Sequence, residues 1–373
     1  MPDPGTQPHD TRRAGSPSGG RRWFLHVALI LLTVAGIAGG GELMARLAGY
    51  EPWDTLNWYL DTIGEPVLNR YDAELGWLSV PGRYVMPSYD PAARGDEKPV
   101  ITTIWPGGMR ATAAVRRPRD TQVLFCGCSF TQGFAISDDE TFASKLQARL
   151  PDVEMLNFGT DGYGTYQCLL RLRRYFDVGA PSPAVVVYGL FQDHEGRNVA
   201  AAYWLQALAM VSRRGFVRVP YCALADDGAL DCRPPEAAYR AWPGTGSSAL
   251  LTFLQGRYEM FRTRKRSGQA RAVTEALLGE MAELVRGRGA KFLVVILHAS
   301  EGNRQAYRDF LSAAEIDFAD CVDPRYGTPE MIVRGETHPN GAMNTVWADC
   351  IEGRLRALLA PPRAIAGNPS LGD

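Results

Sequence analysis

From residue 121 onward, short apolar runs alternate with longer amphipathic segments, and this alternation limits the fold more than any other feature of the sequence. The apolar runs have the length of buried strands and span residues 122–126, 153–158, 184–188, 291–297 and 316–320. The amphipathic segments predict helices at 140–150, 166–176, 271–287, 302–314 and 341–359. Strands separated by crossover helices pair in parallel within one sheet. We therefore expect an α/β fold, a doubly wound parallel sheet with helices on both faces.

An uncharged segment of nineteen residues, 23–41, lies near the N-terminus. Its length is close to the ~20 residues that an α-helix needs to cross a bilayer core. Four arginines precede it: Arg12, Arg13, Arg21 and Arg22. Positive flanks favour the cytoplasmic side of a membrane. We expect residues 1–22 to form a basic cytoplasmic leader, residues 23–41 to be a transmembrane signal anchor, and the body to be periplasmic or at the cell surface.

Two other interpretations of this segment stay open. A buried core helix would not normally follow a leader rich in Pro, Gly, Ser and Arg. A twin-arginine export signal is suggested by residues 21–25, and small residues follow the apolar run as they do near cleavage sites. No Ala-x-Ala motif precedes Glu42, however, and the helical pattern continues to Leu47. We therefore favour an anchor that is not cleaved.

The composition excludes several classes of protein. Of the 373 residues, 46% are hydrophobic and 22% charged, and the net charge is -1, which excludes a disordered polymer and a globally basic nucleic-acid binder. The basic cluster 262–266 is interpreted as a solvated helix end, so no nucleic-acid partner is predicted. The seven cysteines contain no CxxC pair that would suggest zinc, and we predict neither a metal nor a cofactor.

Cys222 and Cys232 flank the turn signal at 226–228, so they could face each other across a hairpin. Export to an oxidising compartment would allow a disulfide there. The alternative is two unpaired small residues, and seven cysteines leave at least one free thiol in a monomer.

The remaining segments are assigned by composition. Residues 50–120 are rich in Trp, Tyr, Pro and Gly and predict loops and short strands in an N-terminal extension. Residues 121–360 form the main domain, with an insertion at about 199–270. The tail 361–373 contains Pro and Gly and is predicted to be disordered.

Ligands of an open parallel sheet gather at the carboxyl ends of its strands. Small and polar residues follow the predicted strands or precede the last helix, at 127–133, 157–164, 189–194 and 335–340. Ser129 lies at a glycine-flanked turn between a strand and a helix, where backbone N–H groups can stabilise negative charge. A serine nucleophile needs a base. Of the body's histidines, His298 is interpreted as structural, whereas His338 has Glu336 two residues earlier.

Residues 127–133 and 157–167 together resemble the first two blocks of the SGNH (GDSL-like) hydrolase superfamily, and residues 338–340 resemble its last block. The resemblance covers about 120–360 in order and spacing. It implies a flavodoxin-like three-layer α/β/α fold and acyl-ester chemistry without a metal. It makes Ser129 the nucleophile and His338 the general base. The oxyanion hole would use the backbone N–H groups of Ser129 and Gly162 and a side-chain amide from the third block.

Three positions depart from the family pattern. Cys128 replaces a supporting Asp of the first block; a Cys128 nucleophile is disfavoured because no separate base is indicated. Gly335 stands where the family has its triad Asp, and Glu336 is the expected carboxylate, as in the Asp-x-His pattern of related acetyltransferases. Two other carboxylates are alternatives for this role: Asp320 and Asp323. Gln192 replaces the amide donor Asn, and the following residues, 194–198, are interpreted as structural.

These motifs predict a membrane-anchored, extracytoplasmic serine esterase acting on acyl esters, O-acetyl esters included, of cell-envelope glycans or lipids. One alternative is an O-acyltransferase of envelope polysaccharide. Another is a degenerate binding domain without catalysis, for which Gly335 and Gln192 are the reasons. The partners expected are the acyl-ester substrate and the membrane, and the oligomeric state is left open.

Overall fold

The structure is a computed structural model that describes residues 18–53, 68–86, 99–211 and 216–360. The first 17 residues of the predicted leader and the predicted disordered tail, 361–373, lie outside the described residues. The chain divides into two units, one formed by residues up to Trp53 together with Trp242–Gln255, and the other by the rest.

The described strands, in chain order, are β1 (Asn69–Asp72), β2 (Gly76–Ser79), β3 (Gly82–Met86), β4 (Val100–Trp105), β5 (Met109–Arg110), β6 (Gln122–Gly127), β7 (Glu154–Asn157), β8 (Val185–Phe191), β9 (Phe216–Leu224), β10 (Leu230–Arg240), β11 (Lys291–His298) and β12 (Asp317–Asp320). The helices are α1 (Ser18–Leu47), α2 (Ser129–Gln132), α3 (Phe142–Arg149), α4 (Thr165–Asp177), α5 (His194–Asn198), α6 (Ala202–Met210), α7 (Ala249–Ser267), α8 (Ala270–Gly287), α9 (Glu301–Ala313) and α10 (Gly341–Leu359).

The second unit is built on an eight-stranded sheet of order β12-β11-β8-β6-β7-β5-β4-β3. Strands β12, β11, β8, β6 and β7 pair in parallel, which confirms the predicted doubly wound sheet. Every residue of β6 is buried, as expected of a strand covered on both faces. Strands β5, β4 and β3 continue the sheet in antiparallel pairing, so part of the 50–120 extension is sheet.

Helices α3 and α10 pack on one face of this sheet. The cluster they form with it includes Phe125 of β6, Phe142 of α3 and Trp347 of α10, all at most 1% exposed. Helices α4 and α8 pack on each other and contact β6 and β11. The two helical layers with the sheet between them form the predicted three-layer α/β/α architecture.

The 199–270 segment contains a long antiparallel hairpin of β9 and β10. Cys222 and Cys232 are register partners in it and are joined by a disulfide. A second disulfide, which the sequence analysis did not identify, joins Cys321, directly after β12, to Cys350 in α10. The remaining cysteines, Cys126, Cys128 and Cys168, are free and buried.

The first unit contains the apolar helix α1. Its segment Arg22–Leu47 is long and apolar enough to cross a membrane, with a mean hydropathy of 2.0. Large apolar side chains from Trp23 to Leu47 are exposed along it. Near its end, Glu42 accepts hydrogen bonds from the backbone N–H groups of Ala249 and Leu250, at 3.0 and 2.9 Å. A carboxylate in this position satisfies free N–H groups at the start of α7.

Candidate active site

Ser129 is the first residue of α2 and follows β6 with only Cys128 as the N-cap between that strand and the helix. The short helix ends at Gly133, which has the left-handed backbone (φ 79°) that favours glycine. Ser129 is 4% exposed. The strand-turn-helix segment predicted from the sequence therefore places this hydroxyl at the carboxyl end of the central strand.

Glycines at the ends of three strands allow α2 to lie close to the sheet edge. A Cβ added at Gly127 or at Gly189 would collide with the Thr131 side chain. One added at Gly159, after β7, would collide with the backbone of Gln132. The loops that follow β6, β7 and β8 thus meet around the helix that carries Ser129.

Ser129, His338 and Glu336 form a hydrogen-bonded series. Ser129 Oγ lies 2.9 Å from His338 Nε2, and His338 Nδ1 lies 2.6 Å from Glu336 Oε1. An ionised carboxylate can only accept, so Nδ1 carries the proton and Nε2 is left to accept the serine proton. The structure therefore brings together the three side chains that the sequence predicted as nucleophile, base and carboxylate.

The ionisation of Glu336 follows from its surroundings. Burial acts to raise the pKa of this carboxyl, but the hydrogen bond from His338 and the backbone N–H of Thr337 outweigh burial and lower the pKa below its usual range. The group is thus held as the carboxylate that orients the imidazole.

A tight turn explains why the carboxylate lies two residues before the histidine. Ile332 pairs with Pro339, and Val333 N donates to His338 O at 2.8 Å, so the chain folds back between them. Gly335 lies in this turn with a φ of 75°. Because this conformation favours glycine, the family's Asp position is occupied by a turn residue, and Glu336 supplies the carboxylate.

Two aromatic rings and a helix cap position His338. Phe130 and Phe134 lie 5.8 and 4.7 Å from the imidazole, measured between ring centroids. Asn340 caps α10 by accepting hydrogen bonds from the N–H groups of Ala342 and Met343. The base is therefore attached to a rigid helix start and packed between rings.

The environment of Cys128 is unfavourable for a nucleophile. The residue is fully buried, and this burial raises the pKa of its thiol, which keeps the sulfur protonated. The base contacts the hydroxyl of the next residue, Ser129.

Two backbone groups are available for an oxyanion. Ser129 N, at the start of α2, has no intrahelical acceptor. In the described chain, Gly162 N donates no backbone hydrogen bond. Gly162 has a φ of 74°, and a Cβ there would lie 2.9 Å from Trp77 and 3.3 Å from Trp204. Glycine thus fits a narrow space between two indoles.

Gln192 is turned toward another part of the molecule. Its side-chain oxygen accepts hydrogen bonds from Ser300 N at 2.7 Å and from Asn303 Nδ2 at 3.4 Å. The side-chain oxygen is therefore engaged at the start of α9, while the NH₂ group, which would be the oxyanion donor, makes no hydrogen bond among the described residues.

The other histidines of the body have separate surroundings. His194 is fully buried, with Nδ1 2.6 Å from the Tyr188 hydroxyl. His298 lies against the Tyr326 ring, with a centroid distance of 4.5 Å. The alternative carboxylates are also engaged: Asp320 pairs with Arg304 and Asp323 with Arg325, each at 2.8 Å.

Arg197 and Trp204 lie close to Gly162, and neither was predicted to be a functional residue. The Arg197 guanidinium stacks over the Trp204 ring, 4.5 Å from its centroid. A signal was present in the sequence, because Arg197 follows the third predicted strand at the sheet edge where ligands bind.

The structure also has a cleft of about 1140 Å³ that is separate from the candidate active site. Residues of β4, α3 and the segment 112–119 line it, and Ser129, Glu336 and His338 do not. Its lining mixes arginines with carboxylates and contains no nucleophile-base pair. Within the described ranges, no cluster of three or more His, Cys, Asp or Glu residues could hold a metal ion.

No protein-family model and no curated protein matches the chain. Among solved structures, the chain is similar to one titled TesA, with 15% identity, coverage of 64% of this chain and 100% of that one, and a TM-score of 0.40. It is similar to a catalytic mutant of Axe2, an acetylxylan esterase from Geobacillus stearothermophilus (11% identity, 66% and 98% coverage, TM-score 0.36). It is also similar to a member of the lipolytic protein G-D-S-L family from Veillonella parvula DSM 2008 (10%, 61% and 94%, 0.36).

The sheet order and the position of each motif define the fold of this chain. A mostly parallel sheet lies between two helical layers, with the serine segment after β6 and the Gly162 segment after β7. The histidine segment directly precedes α10. This is the three-layer α/β/α architecture that the sequence motifs predict.

Proposed function

We propose that this chain is a membrane-anchored serine esterase that hydrolyses acyl esters outside the cytoplasm. The observation that carries the proposal is the contact of 2.9 Å between Ser129 Oγ and His338 Nε2, with Glu336 Oε1 2.6 Å behind the imidazole. Such a series activates a hydroxyl that is otherwise a weak nucleophile.

Ser129 Oγ attacks the carbonyl carbon of the ester while its proton passes to His338 Nε2. The carbonyl electrons move to the oxygen, and the N–H groups of Ser129 and Gly162 stabilise the resulting oxyanion. Collapse of this intermediate breaks the bond to the alcohol oxygen, which takes the proton from His338. Water then repeats the sequence on the acyl-enzyme and releases the acid.

Two features support a location outside the cytoplasm. The apolar segment Arg22–Leu47 follows a basic leader, which favours export of the body. The disulfides Cys222–Cys232 and Cys321–Cys350 belong to an oxidising compartment. The substrates proposed from this location are acyl esters, O-acetyl esters included, on glycans or lipids of the cell envelope.

Acyl transfer to a glycan hydroxyl is a second candidate. It is favoured by the spacing of Glu336 and His338, which is similar to the Asp-x-His pattern of related acetyltransferases. Mass spectrometry after incubation with an acyl donor and a glycan acceptor distinguishes the two, because hydrolysis yields free acid and transfer yields an acylated glycan.

The Ser129→Ala variant of the full chain in detergent tests the proposal. Loss of a serine nucleophile typically lowers kcat by about 10⁶-fold, and we expect a loss of this order on short acyl esters. A fluorophosphonate should label the wild type at Ser129 and leave the variant unlabelled.

The matched control is Ser144→Ala. Ser144 is also buried in a helix, but it bonds Thr141 rather than a histidine. This variant should keep turnover and labelling. Unchanged turnover in Ser129→Ala would contradict the esterase proposal, and a folded wild type without labelling would favour the degenerate binding domain.

A further inference from the structure

Arg197 is a buried cation that forms no ion pair with any of the described residues. The residue is 9% exposed, and its Nη1 donates to the Tyr163 carbonyl at 3.0 Å. Its Nε is buried without a hydrogen-bond partner, and no ion pair joins Arg197 to a carboxylate in the described chain. Burying a guanidinium without a counter-ion is costly, so a nearby anion would be bound strongly.

The side chain spans the two loops that border the nucleophile. Nη1 bonds the β7 loop at Tyr163, next to Gly162, and the guanidinium carbon lies 5.4 Å from the ring centroid of Phe191, the last residue of β8. In the sheet, β6 lies between β7 and β8. Arg197 thus contacts the elements on both sides of β6, the strand that Ser129 follows at the start of α2.

The positive charge of Arg197 affects Cys128, the residue before Ser129. Burial raises the pKa of the Cys128 thiol, and the positive charge of Arg197 is the largest influence acting against it. The same charge acts on the buried Asp161 carboxyl, whose pKa burial also raises. Arg197 thus contributes positive potential at the residue before Ser129 and, to a smaller extent, at the residue before Gly162.

The segment after β8 is where the resemblance places a third oxyanion donor, and there the side chain of Gln192 is held at the start of α9 by the hydrogen bond from Ser300 N to its oxygen. Arg197, five residues later, offers a donor of the right charge, since Nη2 makes no hydrogen bond in the described residues. We propose that Arg197 is a catalytic residue that donates to the ester oxyanion in place of the family's amide. The inference rests on the proposed esterase function. Arg197 transfers no proton in this step, and the proton moves between Ser129 and His338 as above.

The Arg197→Gln variant of the full chain in detergent tests this role. Loss of one oxyanion donor lowers kcat by about 10²- to 10³-fold in a serine hydrolase, and we expect this loss with little change in KM. Labelling by a fluorophosphonate should slow in parallel, because the adduct carries the same developing charge. Arg197→Lys should recover only part of kcat, since the ammonium keeps the charge but not the planar fork.

Arg171 provides a matched control. It is also a buried arginine bonded to carbonyls, those of Gly107 and Gly108, and it stacks on a ring, that of Phe158. Arg171→Gln should destabilise the fold to a comparable extent, measured by thermal unfolding, but keep kcat. Rescue of Arg197→Ala by guanidinium salts, without rescue of Arg171→Ala, would support the assignment independently of folding.

Three results would overturn the inference. Unchanged kcat in a folded Arg197→Gln variant would do so, and so would an equal fall of kcat in Arg171→Gln. A rise in KM restricted to anionic esters, with kcat intact for neutral ones, would show that Arg197 binds a substrate anion instead. Wild-type protein that neither turns over esters nor labels would instead overturn the esterase function and this inference together.

Discussion

At the scale of single residues, a turn of the chain, rather than a second helix or strand, places the Glu336 carboxylate beside the His338 imidazole. The backbone between Ile332 and Pro339 folds back, and the carboxylate also accepts the N–H of Thr337 at 3.1 Å. A carboxylate fixed in this way holds the imidazole in the tautomer that accepts the serine proton.

Replacing Glu336 with Gln should therefore lower kcat strongly while leaving the fold intact. In a serine protease the equivalent change of carboxylate to amide costs about 10⁴-fold, because the imidazole takes the wrong tautomer. We expect a loss of about 10³- to 10⁴-fold in kcat, with KM changed little, in a steady-state assay on short acyl esters.

Asp320→Asn and Asp323→Asn are the controls for this change. Both carboxylates precede His338 in sequence, but they pair with Arg304 and Arg325. Neither variant should change kcat by more than a few-fold. A larger loss in Asp320→Asn than in Glu336→Gln would mean that the carboxylate partner of His338 is assigned wrongly.

His194 should make the fold sensitive to acid. Its ring is fully buried beside the Tyr188 hydroxyl, and burial, with a smaller effect of Arg197, lowers the pKa well below its usual value. The unfolded chain takes up a proton near the ordinary pKa of about 6.5, whereas the folded chain does not. The free energy of unfolding should thus fall as the pH decreases below about 6.5, by up to about 1.4 kcal/mol per pH unit.

The His194→Phe variant isolates this effect. The free energy of unfolding, measured in urea between pH 8 and pH 4.5, should decline less steeply with falling pH in the variant than in the wild type. The difference between the two slopes should correspond to the uptake of up to one proton on unfolding. His298→Phe is the comparison, and it should change the slope less, because His298 is only partly buried. If the His194→Phe slope equals that of the wild type, the acid sensitivity comes from other groups.

At the scale of elements, the parallel strands were predictable from local pattern, and the edge strands were not. Apolar runs such as 122–126 and 291–297 are specific enough to define β6 and β11. Strand β5 has two residues, and its pairing of Arg110 with Asn157 depends on residues far along the chain. No local pattern marks such pairing, so the sequence predicted loops and short strands without assigning them to the sheet.

The two disulfides differ in the same way, because a local pattern predicts one of them and not the other. Cys222 and Cys232 are ten residues apart around a turn signal, so a hairpin could be suspected from sequence. Cys321 and Cys350 are 29 residues apart and meet only because α10 packs beside β12. The contact arises from the layered packing, which a single sequence does not specify.

Removing the Cys321–Cys350 bridge should destabilise the protein more than removing the hairpin bridge. A disulfide limits the unfolded chain more when it closes a longer loop. For a separation of 29 residues we expect Cys321→Ala with Cys350→Ala to cost roughly 3–4 kcal/mol. Because α10 follows His338, kcat should also fall in this variant.

The double variant Cys222→Ala with Cys232→Ala is the matched comparison. It removes a bridge across ten residues and should cost no more than about 3 kcal/mol, with kcat unchanged. Chemical unfolding of both variants under non-reducing conditions shows which variant has lost more free energy of unfolding. A hairpin variant that proves the less stable of the two would contradict the expectation.

At the scale of the whole molecule, we propose that the N-terminal helix anchors the body at a membrane. Helix α1 has 30 residues, which at about 1.5 Å per residue exceeds the ~30 Å of a bilayer core. Glu42 is charged and bonded to Ser248, so the lipid-facing part should end before it. We propose the uncharged run 23–41 as the span, with the arginines that precede it on the cytoplasmic side.

The side of the membrane on which the body lies and the redox state of its cysteines can be measured in one experiment. An exported body should contain two disulfides and three free thiols, those of Cys126, Cys128 and Cys168. A body kept in the cytoplasm should have all seven cysteines reduced. Alkylation of denatured protein from isolated membranes, followed by mass spectrometry, should therefore find three modified cysteines. An intact N-terminus in the same sample identifies an anchor, and a new one near Gly41 identifies a cleaved signal.

A charge-reversed leader is the control for this experiment. Replacing the arginines at positions 12, 13, 21 and 22 with Glu removes the bias that keeps the leader inside. The body of that variant should remain partly in the cytoplasm, where the hairpin and the α10 bridge stay reduced. Because His338 lies just before α10, ester turnover should fall with the fraction of reduced chain. Seven reactive thiols in the wild type, with full turnover, would contradict both the export of the body and the need of the active site for the α10 bridge.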